Sequence, residues 1–364
     1  GAGLNLNKDN EKAAIIGGGD GGVARECISK NFSFVDWYEL DPEVVDVCNK
    51  HLGDIGKKST EKNSVKCVWG DAFESIKSVQ DDTYDHIFVD LNDDQFCIDL
   101  AAKNMKNPKI ALVTGAAKRV GRAIAIGLAK DGWDVAIHYG NSKDAAEQTV
   151  KDILATGQRG VALQADLSDE AQASQLINRC CEALGLPSCL VNNASLFQYD
   201  VASSFSYASL DRHMLTNVAA PLILSRDLYR QHAKLRTADT RGPSGVVINL
   251  LDQKLENLNP DFLSYTLSKA ALNSATNLLA QSFAPNLRVV GLAPGITMVS
   301  GDQSEDGFAK AHSMTPLEQS STPDDIAEAV IYLAKAKAIT GTTLYVDGGQ
   351  HLLSTNRDVM FLTE

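Results

Sequence analysis

The chain has 364 residues, a length that predicts two domains at about 150 residues per domain. Hydrophobic residues make up 44% and charged residues 22% of the chain, a composition that excludes disordered and collagen-like proteins. The formal net charge of −12 argues against nucleic acid or an anionic membrane surface as a partner.

The sequence also limits the compartment and the metal chemistry. No segment approaches the roughly 20 apolar residues of a membrane helix, and the N-terminus lacks the basic-then-apolar pattern of a signal peptide. We therefore expect a soluble, cytoplasmic protein. The seven cysteines include no CxxC pair, so we predict no metal site and no disulfide framework.

Charge is distributed unevenly along the chain. Residues 1–105 contain 11 Lys and Arg against 20 Asp and Glu, whereas residues 106–364 contain 23 against 26. This asymmetry favours two segments of different character. We predict a domain over 1–105 and a second over 106–364.

The first predicted strand, residues 13–16, runs into a glycine-rich loop over residues 17–22. Later strands end at Glu39, before Asp71 and at Asp90. In an open parallel sheet the carboxyl ends of the strands form the ligand site, and an acid about 20 residues after the glycines accepts the ribose hydroxyls. The pattern predicts a βαβ nucleotide-binding unit.

This segment resembles the spermidine synthases, which are aminopropyltransferases, over about residues 10–100. The resemblance lies in GGGDGG, YELDP, GDAFE and FVDLNDD. It implies a site for decarboxylated S-adenosylmethionine, with Asp90 accepting a proton from the attacking amine. The residues it implies for this site are Gly17, Gly19, Asp20, Glu39, Asp71 and Asp90.

The segment departs from that family after the fourth strand. The usual Asp-Ser-Ser-Asp-Pro is replaced by Asp-Leu-Asn-Asp-Asp at residues 90–94, and the chain changes character near Pro108. The family's N-terminal β-domain and its later strands are missing from the sequence. We therefore expect a truncated unit that keeps a vestigial ligand site or serves as an interface.

A second glycine loop, over residues 114–121, follows the apolar strand 110–113. The next strand, 135–139, is followed by no acid. An acid there binds the 2′-hydroxyl of NAD and repels a 2′-phosphate. The absence of an acid, with Ser142 and Lys143 nearby, favours NADPH. The end of a later predicted strand places Asp166 near the adenine.

A Tyr-x-x-x-Lys pair lies thirteen residues beyond Asp252. Tyr265 and Lys269 share one face of a predicted helix because side chains four residues apart are neighbours. A nearby ammonium group lowers the pKa of a tyrosine, which suits a proton donor. We therefore expect Lys269 to lower the pKa of Tyr265.

Residues 109–350 resemble the short-chain dehydrogenase/reductase family. The evidence is the TGxxxxxG loop, the strand end at 192–194, Asn217 in a helical stretch and the Tyr265–Lys269 pair. Within that family TGAAKRVG, HYGNS, NNASLF and an aspartate at 252 resemble the pteridine reductases and the related dihydromonapterin and dihydrofolate reductases. The implied fold is α/β, with two tandem Rossmann-like doubly wound parallel-sheet units, the first truncated.

The resemblance also implies the roles of individual residues. Tyr265 and Asp252 handle the proton, Lys269 binds the nicotinamide ribose and Asn217 assists the relay. Phe197 stacks on a small pterin or folate substrate, which Arg119 and Ser195 also approach. The implied cofactor contacts are Gly115, Arg119, Val120, Gly121, His138, Tyr139, Ser142, Asp166, Leu167, Asn193, Ala194, Lys269, Pro294 and Gly295. The family's usual assembly implies a homo-oligomer, specifically a tetramer.

Three alternatives stay open. Asp252 could serve a general carbonyl reductase, the working site could be an N-terminal aminopropyltransferase with an appended reductase, or the first segment could bind a partner without catalysing a reaction.

The polar run between Met298 and Pro316 is typical of a mobile substrate lid. The tail at 358–362 is a candidate subunit contact.

Overall fold

The computed structural model describes residues 12–17, 27, 29, 34–39, 65–69, 75, 79, 84, 86–90, 109–237, 240–299 and 303–363. The chain divides into two compact units, 1–107 and 108–364. Within the described ranges, no helix combines the length and the apolar character that crossing a membrane requires. The same ranges contain no group of three or more His, Cys, Asp and Glu side chains arranged to hold a metal ion.

The described part of the first unit is a parallel sheet of four strands in the order β3-β2-β1-β4. The strands are β1 Lys12–Gly17, β2 Phe34–Glu39, β3 Val65–Trp69 and β4 His86–Asp90. Buried apolar side chains alternate between its two faces, with Ile15 and Trp37 on one and Ile16 and Tyr38 on the other. The sheet therefore has apolar packing on both sides, as parallel sheets do.

The register of the strands places Gly17 beside Asp90 at the carboxyl end of this sheet. Glu39 is the last residue of β2 and is paired with Trp69. Three other residues of the predicted nucleotide site, Gly19, Asp20 and Asp71, lie outside the described residues.

The second unit is built on a parallel sheet of seven strands in the order β11-β10-β9-β8-β5-β6-β7. The chain starts in the middle at β5, winds outward to β7, and then returns to β8 on the other side of β5. The strands are β5 Ile110–Val113, β6 Asp134–Tyr139, β7 Gly160–Gln164, β8 Cys189–Asn192, β9 Gly245–Leu250, β10 Leu287–Pro294 and β11 Thr343–Val346. Ligands of such sheets bind where the winding reverses, here between β5 and β8.

Helices cover both faces of the seven-stranded sheet. They are α1 Arg119–Lys130, α2 Lys143–Leu154, α3 Glu170–Ala173, α4 Leu176–Ala183, α5 Tyr207–Met214, α6 Ala220–Leu235, α7 Leu263–Phe283, α8 Glu305–Ser313 and α9 Pro323–Lys335. Val113 and Ile124 belong to the core on one face, and Leu112 and Leu224 to the core on the other. This doubly wound arrangement confirms the fold class predicted from the sequence.

The segment predicted to be a mobile substrate lid contains helix α8. Its start is encoded locally: the Ser304 hydroxyl accepts a hydrogen bond from the Gly307 amide at 3.0 Å, and Glu305 and Asp306 occupy the first turn. A serine cap followed by acidic residues is a helix-start signal, since it satisfies free amides and complements the helix dipole. Part of the predicted lid is therefore a helix whose start is encoded in its own sequence.

Candidate active site

The glycine loop after β5 is pressed against the end of β8. Gly115 has φ +63°, and a Cβ atom there would lie 2.8 Å from the Cα of Ala194. A Cβ on Gly121 would lie 2.5 Å from Asn193 Nδ2. Asn193 in turn donates from Nδ2 to the carbonyl of Thr114 at 2.8 Å. Both glycines are therefore required by close packing of the backbone, as the sequence pattern indicates.

His138 on β6 holds this loop from the other side. Its Nδ1 accepts a hydrogen bond from the Gly115 amide at 3.1 Å, so Nε2 carries the proton that goes to the Ala165 carbonyl at 3.0 Å. Burial lowers the pKa of His138, which favours this neutral tautomer. The residue joins β6, β7 and the loop.

An open groove of about 500 Å³ lies along the loop and the ends of β5–β8. Of the predicted cofactor contacts, those that line it are Gly115, Arg119, Val120, Gly121, His138, Asp166, Leu167, Asn193 and Ala194. Gly140, Asn141 and Ser195 also line it.

Five predicted cofactor contacts do not line the groove, among them Tyr139 and Ser142. Tyr139 packs partly buried against the apolar core, and Ser142 stands before the first residue of α2. Lys143 points to Glu147, with the two charged groups 3.8 Å apart. The side of the groove after β6 is therefore formed by Gly140 and Asn141, and neither is charged.

A second cavity, of about 280 Å³, adjoins the groove and shares Arg119 and Val120 with it. Arg119 has the left-handed φ of 55° and donates from Nη2 to the Val299 carbonyl at 2.9 Å. Residues expected in the substrate or cofactor site that line this cavity are Arg119, Val120, Phe197, Asp252, Tyr265, Pro294 and Gly295.

Tyr265 and Asp252 form a hydrogen-bonded pair on the cavity wall. The Tyr265 hydroxyl donates to Asp252 Oδ2 at 2.7 Å. Asp252 Oδ1 accepts from the Lys254 amide at 2.9 Å, because Asp252 caps the short 3-10 turn Gln253–Leu255. That cap fixes the orientation of the carboxyl group, since both of its oxygens have partners.

Lys269 lies behind this pair and is 3% exposed. Its ammonium group donates to the Leu250 carbonyl at 2.7 Å and lies 5.6 Å from the ring centre of Tyr265. The helical spacing therefore places the lysine beside the tyrosine, as the sequence predicts.

Asn217 stands in a π-helical turn, Leu215–Ala219, between α5 and α6. Its side chain accepts from the Leu196 amide at 2.7 Å and donates to the Leu196 carbonyl at 2.9 Å and to Ser268 Oγ at 3.0 Å. These bonds join the loop after β8 to α7. Asn217 thus positions the neighbouring residues 195 and 197, and π-turns are frequent at functional sites.

Phe197 is the aromatic part of the cavity wall. Its ring stacks on Phe262 with centres 4.3 Å apart and meets Tyr265 edge-on at 4.7 Å. The side chain is 42% exposed, whereas that of Phe262 is 3% exposed. Phe262 is therefore the core residue, and Phe197 presents an accessible aromatic surface next to the Tyr265–Asp252 pair.

Comparison with known proteins places this site in a family. Residues 115–351 match a model described as enoyl-(acyl carrier protein) reductase, and residues 1–116 match the spermine/spermidine synthase domain. The chain belongs to the short-chain dehydrogenase/reductase family. It is an oxidoreductase of this family, joined to a segment of the synthase type.

Relatives of this short-chain reductase differ in their names. The 3-oxoacyl-acyl-carrier-protein reductase of Staphylococcus aureus is 32% identical over 253 residues, which cover 68% of this chain and all of that protein. FolM alternative dihydrofolate reductase 1 of Brucella canis, solved with NADP, is 37% identical at a TM-score of 0.61, covering 69% of this chain and 97% of that one. A metagenomic blue fluorescent protein, solved with NADPH, is 30% identical at a TM-score of 0.59, covering 67% and 98%.

Burial sets the electrostatics of the reductase site. It raises the pKa of Asp252 and, together with the Asp252 carboxylate, raises the pKa of Tyr265 well above 10. The pKa of Tyr265 is therefore raised, not lowered as expected from its neighbour Lys269, because burial and then the adjacent acid disfavour the ionised phenol. Burial lowers the pKa of Lys269 itself to about 8, against the opposing influence of Asp252.

Sequence reasoning missed part of the cavity wall. Lys254, which is 5% exposed, and the tail residues Asp358, Val359 and Met360 all line the cavity. Lys254 lies two residues after Asp252 in the chain, so its position near the site could be inferred from the sequence. The tail carries no local motif, and only the folded chain brings it to the site.

Proposed function

We propose that the second unit is an NADPH-dependent reductase of a pterin or dihydrofolate-type substrate. The observation that carries the proposal is the Tyr265–Asp252 pair, with a 2.7 Å hydrogen bond, beside the accessible ring of Phe197. The cavity that contains them opens onto the groove through Arg119 and Val120. A flat ring bound against Phe197 would lie next to a proton donor and within reach of the cofactor.

The groove has the features of a dinucleotide site. Gly115 in the loop and Gly121 at the start of α1 line the groove, and Asp166 stands at the far strand end. NADPH is favoured over NADH because Gly140 and Asn141, after β6, provide no carboxylate to repel a 2′-phosphate. The Brucella canis and metagenomic structures contain NADP and NADPH, respectively, which supports this choice. When bound, NADPH supplies the hydride.

Asp252 and Tyr265 would supply the proton that balances this hydride. Reduction of a ring C=N bond adds hydride to carbon and a proton to nitrogen. Burial raises the pKa of Asp252, so its carboxyl group holds a proton more readily than an exposed one and is suited to pass it on through the Tyr265 hydroxyl. Both groups then regain their proton from solvent.

Lys269, Asn217 and Ser195 take supporting roles in this proposal. The Lys269 ammonium group would reach the nicotinamide ribose, next to the Tyr265 ring. Asn217 holds the loop that carries Ser195, which lines the groove near the cavity. Pro294 and Gly295 form the wall at the end of β10. A side chain on Gly295 would crowd Asp347, since its Cβ would lie 2.7 Å from that of Asp347.

The experiment is NADPH oxidation measured against dihydropterins, dihydrofolate and oxidised biopterin, with a 3-oxoacyl thioester and simple ketones in the same panel. The proposal predicts the highest kcat/KM for a member of the first group. Turnover of the thioester or ketones alone would contradict it.

A carbonyl reductase is the second candidate. Relatives named as 3-oxoacyl-acyl-carrier-protein reductases are 31–32% identical to this chain, which supports it. Asp252 and the ring of Phe197 support the pterin candidate, because a ketone needs neither a ring-nitrogen proton donor nor an aromatic wall. The substrate panel separates the two.

For the first unit we propose a ligand-binding or partner-binding role without transferase activity. Its match to the synthase domain supports a site for decarboxylated S-adenosylmethionine, with Gly17, Glu39 and Asp90 at the strand ends. Formation of methylthioadenosine from putrescine and that cofactor would show an active aminopropyltransferase instead.

We also propose that the chain forms a tetramer, and light scattering on the full chain tests this oligomeric state.

A further inference from the structure

The C-terminal tail, defined here as residues 353–363, forms part of the cavity wall and is firmly anchored. Arg357 Nε and the Asp358 amide both donate to Asp261 Oδ2, at 2.7 and 2.8 Å. The Phe361 ring lies 5.4 Å from Tyr199 and 6.0 Å from Phe262. The tail therefore packs on its own chain, next to the aromatic residues that support Phe197.

Asp358 brings a carboxylate to this cavity. Its Oδ2 accepts from Lys254 Nζ at 3.1 Å and its Oδ1 from the Met360 amide at 3.3 Å. A carboxylate has about four acceptor positions, so two bonds leave further positions open. The side chain is 20% exposed, whereas that of Lys254 is 6% exposed. The carboxylate, and not its partner lysine, is the accessible member of the pair.

Lys254 holds this carboxylate close to the reacting pair. Its ammonium group is fixed by the Asp261 carbonyl at 2.7 Å as well as by Asp358, and its amide donates to Asp252. One residue thus connects the carboxyl group of the proton-donating pair with that of the tail. Asp358 also contributes to the raised pKa of both Asp252 and Tyr265, which is consistent with short separations.

We propose that Asp358 is a specificity-determining residue whose carboxylate accepts hydrogen bonds from two neighbouring N–H groups on the edge of the ring substrate. This inference rests on the proposed function. The amino group and adjacent ring N–H of a 2-aminopyrimidine edge, as in pterins and dihydrofolate, match two carboxylate oxygens in the way a guanidinium group does. A ring that has a carbonyl oxygen in place of the amino group would place one hydrogen-bond acceptor against another. Such a ring is therefore rejected.

The test is calorimetric titration of the full chain, loaded with NADP+, with pterin and with lumazine, which carries an oxo group in place of the 2-amino group. We expect the protein to bind pterin at least about tenfold more tightly than lumazine, as hydrogen bonds to a charged group imply. Asp358→Asn should remove this preference by weakening pterin binding about tenfold. Its binding of lumazine should be no weaker than before.

Two further variants separate recognition from tail packing. Asp358→Ser keeps an acceptor for the Met360 amide and should also lose the preference, so the test holds even where Asp358→Asn folds poorly. Arg357→Gln breaks the bond to Asp261 without changing the carboxylate. It should lower Tm and keep the preference for pterin.

The outcomes are distinct. An unchanged preference in Asp358→Asn, or equal weakening for both ligands, would overturn the role of Asp358 while leaving the proposed function intact. If the unaltered protein binds NADP+ but no pterin and reduces no dihydropterin, the proposed function fails and the inference fails with it.

Discussion

Two parts of the cavity wall reach the site in different ways. Tyr265 and Asp252 lie 13 residues apart in the chain and are joined by a hydrogen bond, whereas Asp358 and Lys254 lie 104 residues apart. The first pair stands on the elements that define the family, at the end of β9 and the start of α7. The second depends on a tail held by Asp261. The comparison suggests that the family's core elements supply the chemistry and that the tail selects the substrate.

The largest effect should come from the first part of the wall. Tyr265→Phe removes the hydroxyl that donates to Asp252 and keeps the ring against Phe197. Loss of a proton donor costs about 10²- to 10⁴-fold in kcat. The dissociation constant for NADPH, measured by fluorescence titration, should change little. Near-normal turnover would mean that the proton comes from another group, with Asp252 the first to test.

The second prediction is a pH dependence that comes from Lys269. Burial lowers the pKa of its ammonium group to about 8, so the positive charge is present below that pH and lost as the pH rises through it. If that charge holds the cofactor, kcat/KM for NADPH should fall about tenfold per pH unit above about pH 8. Lys269→Arg, which keeps its charge, should move this fall to higher pH. A flat profile to pH 10 would contradict the role of Lys269.

The third prediction compares two stacked rings. Phe197→Ala should raise the KM for dihydropterins roughly tenfold, through a loss of about 1 to 2 kcal/mol of stacking and burial. It should change Tm little, since Phe197 is 42% exposed. The matched control Phe262→Ala removes a ring that is 3% exposed and should lower the free energy of unfolding by about 3 to 5 kcal/mol. A large Tm shift with unchanged KM in Phe197→Ala would defeat the stacking role.

The smallest effect concerns the cofactor. NADPH should be preferred over NADH by a modest factor, because Gly140 and Asn141 provide no carboxylate to repel a 2′-phosphate while Lys118 and Arg119 bring positive charge to the groove. Asn141→Asp should reverse this order by placing a carboxylate there. The ratio of kcat/KM with NADPH to kcat/KM with NADH, measured for the parent protein and for Asn141→Asp, gives the cofactor preference of each. Equal or better efficiency of the parent protein with NADH would contradict the predicted preference.

The sequence predicted what local patterns encode. The glycine loop, the apolar runs of β5 and β6 and the spacing of Tyr265 and Lys269 each depend on a few consecutive residues. The raised pKa of Tyr265 depends on its burial beside Asp252, which spacing alone does not reveal. Tyr139 and Ser142 follow the motif in sequence, yet Tyr139 packs against the apolar core, Ser142 precedes α2, and neither lines the groove. The tail reaches the site through tertiary contacts, among them those with Asp261 and Lys254, which no local pattern encodes.

The central claim is that this site transfers hydride from NADPH to a pterin-type ring. The most direct measurement is incubation of the full chain with NADPH deuterated at C4 and a dihydropterin, followed by mass spectrometry of the products. We expect one deuterium on carbon in the tetrahydropterin, transferred from one face of the cofactor, and labelling at least about 10²-fold slower with Tyr265→Phe. Unlabelled or unreduced pterin, with label instead in the alcohol formed from a 3-oxoacyl thioester, would contradict it.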